Sequence, residues 1–267
     1  MSRINTDLKI GAVIAGAVLC MTLVSVFYTP SDPYHMDSSK RFLPPGREHL
    51  LGTDNFGRDV FSRVAGGGAY TLLIALCTVL ASAAAGTALG LLAAYSNALV
   101  DDLVMRTMDL ISSFPGLLVA LTAVALMGNS SLSLCIALTI LFTPGFARII
   151  RNSALKYKHS DFILAERLLG AGMPRIIFIH ILPNITHSLL AASVMGLSNA
   201  ILAEAALSYL GLGIQPPAPS WGRMLAESQH FLLSAPLCSL APGLCILLSV
   251  MAFHFLGEGI RAMEAEV

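Results

Sequence analysis

Val64–Val100 reads VAGGGAYTLLIALCTVLASAAAGTALGLLAAYSNALV, 37 consecutive positions without Asp, Glu, Lys or Arg. A buried helix of a soluble protein rarely runs so far without a charge. Lipid explains the run, because one charge at the centre of a bilayer costs about 2.5 kcal/mol or more. The same gap recurs on either side. Ile10–Ser31 is free of charge for 22 positions, Leu110–Ala147 for 38, and Ser228–Gly257 for 30; Ile176–Ala203 is a fifth such run.

Composition agrees. Of 267 residues, 55% are hydrophobic and 12% charged, about half the roughly 25% usual in soluble domains. Mean hydropathy is +0.75. These values exclude a disordered chain, a secreted disulfide scaffold and a basic nucleic-acid binder. The 16 basic and 16 acidic residues cancel, so net charge selects no partner. With roughly 20 apolar residues per crossing, the length accommodates about six transmembrane helices, and the fold class is an all-α polytopic membrane protein.

Turn residues divide the gaps. Gly66-Gly67-Gly68 places the start of the second span near Tyr70, and Gly128-Asn129-Ser130-Ser131 splits the 38-residue gap into two spans. The predicted spans are 10–28, 70–95, 109–127, 131–149, 187–207 and 235–256, with a kink at Pro115. The first is long for a signal-peptide core and lacks a cleavage context at Tyr28-Thr29-Pro30, so it is read as retained. The chain divides into an N-terminal span with an outer segment (1–69) and a core of five spans (70–267) carrying an inner connection over 150–186. With the N-terminus inside, ten Lys and Arg fall on inner segments, Arg3 among them, and six on outer ones. This bias places both termini in the cytoplasm.

Enzyme chemistry is missing from the pattern. There is no GxxxxGK[ST] phosphate loop and no HExxH. The seven histidines, at 35, 49, 159, 180, 187, 230 and 254, form no i,i+4 pair, and the five cysteines form no CxxC. No catalytic residue, no metal site and no cofactor is expected in this chain. A membrane protein without energy chemistry of its own is a carrier, a channel or a subunit of a larger machine.

Within the inner connection, Leu164–Leu169 reads as a helix, Gly170-Ala171-Gly172 interrupts it, Pro174 suits the first turn of a second helix, and Pro183 ends or kinks that helix. Ala165–Pro183, AERLLGAGMPRIIFIHILP, resembles the EAA loop of bacterial ABC importer permeases. Leu51–Arg63 (LGTDNFGRDVFSR), Ala205–Gly213 (AALSYLGLG) and Pro219-Ser220-Trp221-Gly222 resemble signatures of the dipeptide, oligopeptide and nickel permeases. Their order is similar to the C-type member of the permease pair. The sequence departs from the pattern at Glu166, where the family often has a small residue, at Leu164, the eponymous Glu position, and in a tail without Asp-Pro.

The resemblance implies a type I ABC importer permease of six spans in the bacterial inner membrane. Its expected partners are a homologous second permease, one or two cytoplasmic ATPase subunits that bind ATP and Mg, and an extracytoplasmic binding protein. It implies an ATPase-coupling loop of Ala165, Glu166, Arg167, Gly170, Ala171, Gly172, Pro174, Arg175, His180, Leu182 and Pro183. The expected cargo is di- or oligopeptides, with nickel or a metal–chelator complex as the alternative. An ion-driven secondary transporter or an assembly subunit would leave the EAA-like loop unexplained.

Two constellations each admit two readings. In 51–63, Thr53 or Asp54 can cap a helix, and Asp54 with Arg58 and Asp59 with Arg63 stand four apart. Together with an apolar stripe this describes an interfacial helix shielding the second span. The other reading makes Asp54, Arg58, Asp59, Arg63 and Trp221 outer-face contacts with the partner permease or binding protein. Glu204 either faces the translocation path, meeting an amine or cation, or is a structural acid bonded to Ser208.

Overall fold

A computed structural model describes residues 2–158 and 160–265. His159 lies outside the described residues, as does the side chain of Arg3. In lipid every backbone polar group must be satisfied within the protein, and the described residues form helices joined by turns. They are α1 (Ser2–Phe27), α2 (Val60–Tyr95), α3 (Ala98–Ser112), α4 (Gly116–Met127), α5 (Ser131–Lys158), α6 (Asp161–Leu168), α7 (Met173–Arg175), a π-helical stretch (Ile176–Ile181), α8 (Leu182–Tyr209), α9 (Trp221–Ser228) and α10 (Leu237–Ala265). Five helices are long and apolar enough to cross a bilayer: α1, α2, α5, the continuous run Met173–Tyr209, and α10.

The α2–α5 contact sets the topology. A Cβ at Gly86 would lie 2.4 Å from Phe146 Cβ, and one at Gly90 would lie 2.6 Å from Ala147 O. Small residues thus bring the two backbones together. Thr78 Oγ1 donates to Cys135 Sγ at 3.7 Å near one end, and Lys158 Nζ to Ala94 O at 2.6 Å at the other. Positions rise together along both helices, so α2 and α5 are parallel. The chain leaving α2 must therefore return to the opposite end before α5 begins.

The returning segment is α3 and α4. α3 stays beside the basic end of α5: Arg151 holds Asp101 through Nε at 2.6 Å and Nη2 at 2.5 Å, and Arg148 Nη2 reaches Asp109 at 2.8 Å. The Arg151 hydrogen bonds hold the Asp101 carboxyl below its ordinary pKa. At Pro115 the chain turns by 90° into α4. α4 has 12 residues, about 18 Å, and buries Ala120 and Val124 against Leu134, Leu138 and Leu207. Counting this bent pair, up to six segments of the described residues are long and apolar enough to cross a bilayer. The predicted third span, 109–127, is thus corrected: it is two helices, because proline removes the backbone N–H that would continue the first.

The remaining helices alternate in direction. Gly11 of α1 packs on Ala252 and Leu256 of α10, and Ser198 Oγ of α8 donates to Val250 O of α10 at 3.1 Å. Both described ends of the chain, α3, the C-terminus of α5 and residues 160–181 consequently gather at one end of the bundle.

The predicted start of the second span also needs correction. Gly66-Gly67-Gly68 lies inside α2, which begins at Val60, capped by Asp59 accepting from Ser62 N at 2.8 Å. Gly67 and Gly68 serve packing rather than a turn. Gly67 faces the Pro219–Ser220 backbone, and a Cβ at Gly68 would lie 2.3 Å from Thr22 Cγ2 and 2.6 Å from Trp221. A division after residue 69 would cut α2, and α1 packs into the same bundle through α10. α5 and α8 overrun their predicted spans, which narrows the inner connection from 150–186 to the residues between Lys158 and Leu182.

Two substitutions test the close contact. Gly90→Ala places a Cβ against the backbone of α5 and destabilises the protein by about 1–3 kcal/mol. Gly66→Ala meets nothing within 4 Å and is neutral or stabilising by up to about 1 kcal/mol, because alanine favours helix. Thermal unfolding of the two variants in one detergent checks the pair.

Candidate functional site

The connection between α5 and α8 is a helical hairpin. α6 ends in a Schellman turn: Gly170 N donates to Arg167 O at 3.0 Å, and Ala171 N to Glu166 O at 3.0 Å. Gly170 has φ +85°, a left-handed conformation that glycine, and to a lesser extent asparagine, adopts with little strain. Gly172 is the N-cap residue of the next helix, and Pro174 occupies its first turn, where a missing N–H costs nothing. The helix then runs unbroken to Tyr209.

Pro183 neither ends nor visibly breaks this helix, contrary to expectation. The preceding turn widens to π geometry, with Leu182 N donating to Ile177 O, and Pro183 falls in the first turn of α8. One face of the hairpin is anchored through Ile163 of the first arm and Ile176, Ile181 and Ile185 of the second, all buried with Ile150 and Ala154 of α5. The other face is bare. Leu168 is 84% exposed and Leu169 83%, with Phe178 and Ile179 also exposed. Glu166, the departure from the family pattern, lies 3.5 Å from His180 across the turn. Ala165, Arg167, Pro174 and Arg175 are exposed, while Leu182 is half-buried.

The opposite end holds a buried ion network. Asp54 Oδ1 accepts from Phe56 N at 2.8 Å and Arg58 N at 3.0 Å, and Oδ2 from Arg58 Nε at 2.6 Å. Arg58 and Arg63 both donate to Glu227 Oε2, at 2.8 and 3.1 Å, and Arg223 Nε donates to its Oε1 at 3.2 Å. Arg63 is 2% exposed and also reaches Pro33 O at 3.4 Å. Asp59 does not pair with Arg63 as its spacing suggested. Its carboxylate caps α2 and meets His49 Nδ1 at 2.9 Å. Trp221 is fully buried, its Nε1 donating to Val64 O at 2.8 Å.

Asp54, Arg58, Asp59, Arg63 and Trp221 are therefore internal. They fasten the 31–63 segment and α9 over the start of α2. Glu227 and His49 were missed, since neither stands at helical spacing from the 54–63 group. The one signal was charge arithmetic: two buried arginines need more than one free carboxylate once Asp59 is committed to a helix cap. Outside the spans, Asp37 caps a turn, and its pKa is lowered by bonds from the Ser39 hydroxyl and backbone N–H. Burial and a hydrogen bond with Tyr70 push the Tyr34 phenol up to about 12.

Glu204 is fully buried. Ser208 Oγ donates to Oε1 at 2.6 Å, Ile214 N donates to Ser208 Oγ at 3.3 Å, and the Thr71 and Ser220 hydroxyls face the same carboxyl. The residue ties α8 to α2 and to the loop before α9. It lines neither of the two large cavities along α8, and its enclosure with Ser208 matches the geometry of the structural-acid reading.

Substitutions separate these roles. Glu227→Ala leaves two buried arginines short of a carboxylate and costs about 3–5 kcal/mol, far more than Arg223→Ala. Glu204→Gln keeps an acceptor for Ser208 and leaves both assembly and transport intact. Glu204→Ala strands buried hydroxyls and costs about 1–3 kcal/mol. Unfolding in detergent and uptake by vesicles provide the two readouts.

Comparison with known proteins assigns the family. Residues 86–262 match the binding-protein-dependent transport system inner membrane component family. A dipeptide transport system permease protein of Alkalihalophilus pseudofirmus is 37% identical over 252 residues, covering 94% of this chain and 83% of that protein. A putative peptide transport system permease protein of Brucella abortus is 40% identical over 257 residues, covering 96% and 86%. A glutathione transport system permease protein of Pectobacterium atrosepticum is 37% identical over 255 residues, covering 94% and 85%. Among solved structures, the inward-facing MetNI methionine ABC transporter superposes with a TM-score of 0.62 at 20% identity, over 75% of this chain and 95% of that one, a likeness of fold. The hairpin between two spans, the all-helical bundle and these relatives agree, and the chain belongs to the binding-protein-dependent ABC transport permeases of the inner membrane.

Proposed function

We propose that this chain is the C-type permease of a pair in an ATP-driven importer, and that its cargo is small peptides. The observation that carries the reading is the hairpin Asp161–Ile181. It is anchored on one side by buried isoleucines and presents Leu168, Leu169, Phe178 and Ile179 bare on the other. A surface of this kind fits an apolar groove on a second protein. The chain itself has no phosphate loop, so ATP and Mg belong to the partner ATPases. A homologous permease and an extracytoplasmic binding protein complete the assembly. The peptide assignment is supported by relatives named for dipeptide, peptide and glutathione transport.

Orientation follows from charge. Arg106, Arg148, Arg151, Lys156, Lys158, Arg167, Arg175 and Arg261 lie on the elements gathered at the hairpin end, and such an excess of cations marks the cytoplasmic side. Both termini then face the cytoplasm. Closure of the ATPases on ATP pushes the hairpin, and the unbroken helix from Met173 to Tyr209 carries that displacement to the far side of the membrane. The wide π turn is the compliant point on this rod.

Affinity purification from the native host in mild detergent, followed by mass spectrometry, tests the assembly. A second six-span permease and phosphate-loop ATPases are expected; recovery of this chain alone contradicts the reading. Gly170→Val forces a β-branched residue into a left-handed conformation at a cost of about 1–2 kcal/mol, while its Cβ meets nothing. ATP-coupled transport falls by roughly tenfold with the bundle's melting temperature unchanged, and Gly170→Asn, which tolerates that conformation, retains most of the activity.

A further inference from the structure

Two cavities of similar size lie along α8, and their chemistry differs. The first, about 660 Å³, sits between α2, the π stretch and α8, and is walled chiefly by alanine, leucine and isoleucine. Lipid tails or an apolar helix suit it. The second, about 710 Å³, runs between α5, α8 and the last turns of α10. Phe142, Phe146 and Asn199 line its mid-membrane part, and Lys156, Tyr157 and Arg261 line its inner mouth. Among the described residues, no Asp or Glu lines it.

Three polar groups of this second cavity matter: Asn199, Lys156 and Arg261. Asn199 stands within a membrane span and is exposed. A carboxamide turned toward hydrocarbon without a hydrogen-bond partner is strongly disfavoured by transfer, so this face of α8 meets water or another polar group in the assembled protein. The other cations of the last turns of α5 are committed: Arg148 to Asp109, Arg151 to Asp101, and Lys158 to Ala94 O and the Tyr95 ring. Among the described residues, Lys156 and Arg261 have no carboxylate partner. Gly145 keeps the wall low, since a Cβ there would meet nothing within 4 Å.

We propose that this groove is the chain's wall of an aqueous path, and that it selects oxyanions. Asn199 hydrogen-bonds the passing ligand at mid-depth, and Lys156 with Arg261 receives its carboxylate at the inner mouth. The direction of travel rests on the importer reading above; the chemistry of the groove does not. A lipid phosphate offers the same oxyanion chemistry to the two cations at the mouth. It does not reach Asn199, about 16 Å further along α8 than Ser188 at the mouth. The cargo carboxylate is therefore the favoured ligand.

The test uses the complex as purified, placed in liposomes of phosphatidylcholine alone or with phosphatidylglycerol. Asn199→Cys is labelled from water with anionic sulfonatoethyl and cationic trimethylammonioethyl methanethiosulfonates, with the parent as background for the native cysteines. Labelling of Asn199→Cys is expected, faster for the anion, and Lys156→Gln/Arg261→Gln lowers the anion-to-cation rate ratio by roughly tenfold in both lipids. An unreactive Asn199→Cys, a ratio unmoved by the double substitution, or an effect confined to phosphatidylglycerol overturns the proposal. The last outcome assigns the cations to lipid headgroups. Failure of the importer reading shows itself separately, as a purification without ATPase subunits.

Discussion

The parallel contact of α2 and α5 at Gly86 and Gly90 is the constraint on which the rest of the molecule depends. Two helices that run the same way through a bilayer cannot be joined by a tight turn. The connection must cross back, and the sequence supplies it as an amphipathic helix, a proline and a 12-residue apolar helix. That arrangement in turn places Asp101 and Asp109 beside Arg151 and Arg148. It also fixes which end of α5 launches the hairpin. Larger residues at the two glycines would separate the backbones and loosen each of these consequences together.

The two ends of the bundle handle charge in opposite ways. At the end opposite the hairpin, charges are turned inward: Arg58 and Arg63 are buried against Asp54 and Glu227, and a tryptophan closes over the start of α2. A buried ion set of this kind is weak as a source of stability but strict about geometry, because losing one member leaves another unpaired. It holds the 31–63 segment and α9 to one geometry over the start of α2. At the hairpin end, the surface is left open in two places, the bare leucines of the Gly170 turn and the groove with its uncommitted cations. Both are features of a surface completed by other molecules.

Much of this was legible in the sequence. The charge gaps locate the membrane helices, because lipid penalises charge everywhere along a span. Gly170 and Pro174 mark the hairpin turn, because left-handed geometry and a helix's first turn each select one residue type. What stayed hidden depends on contacts distant in sequence. Gly66-Gly67-Gly68 has the composition of a turn, yet it is helix, since Trp221 and the Ser220 backbone need the space. Asp59 stands four residues from Arg63 but is taken by the α2 N-terminus and His49. Glu204 has the profile of a path residue, and only the positions of Ser208, Thr71 and Ser220 show it enclosed. Asn199, being uncharged, leaves no mark in a charge-gap pattern, although its exposure within a span sets its groove apart from the apolar one.

The central claim is that this chain moves cargo through motion delivered by ATPases at the Gly170 hairpin. Its most direct test is uptake of a labelled dipeptide by liposomes holding the purified complex, with binding protein outside and ATP inside. The account predicts uptake that requires hydrolysable ATP, persists when proton and sodium gradients are collapsed, and is abolished by Leu168→Asp/Leu169→Asp with the complex still folded. Uptake by this chain alone, driven by an ion gradient and indifferent to ATP, would contradict it.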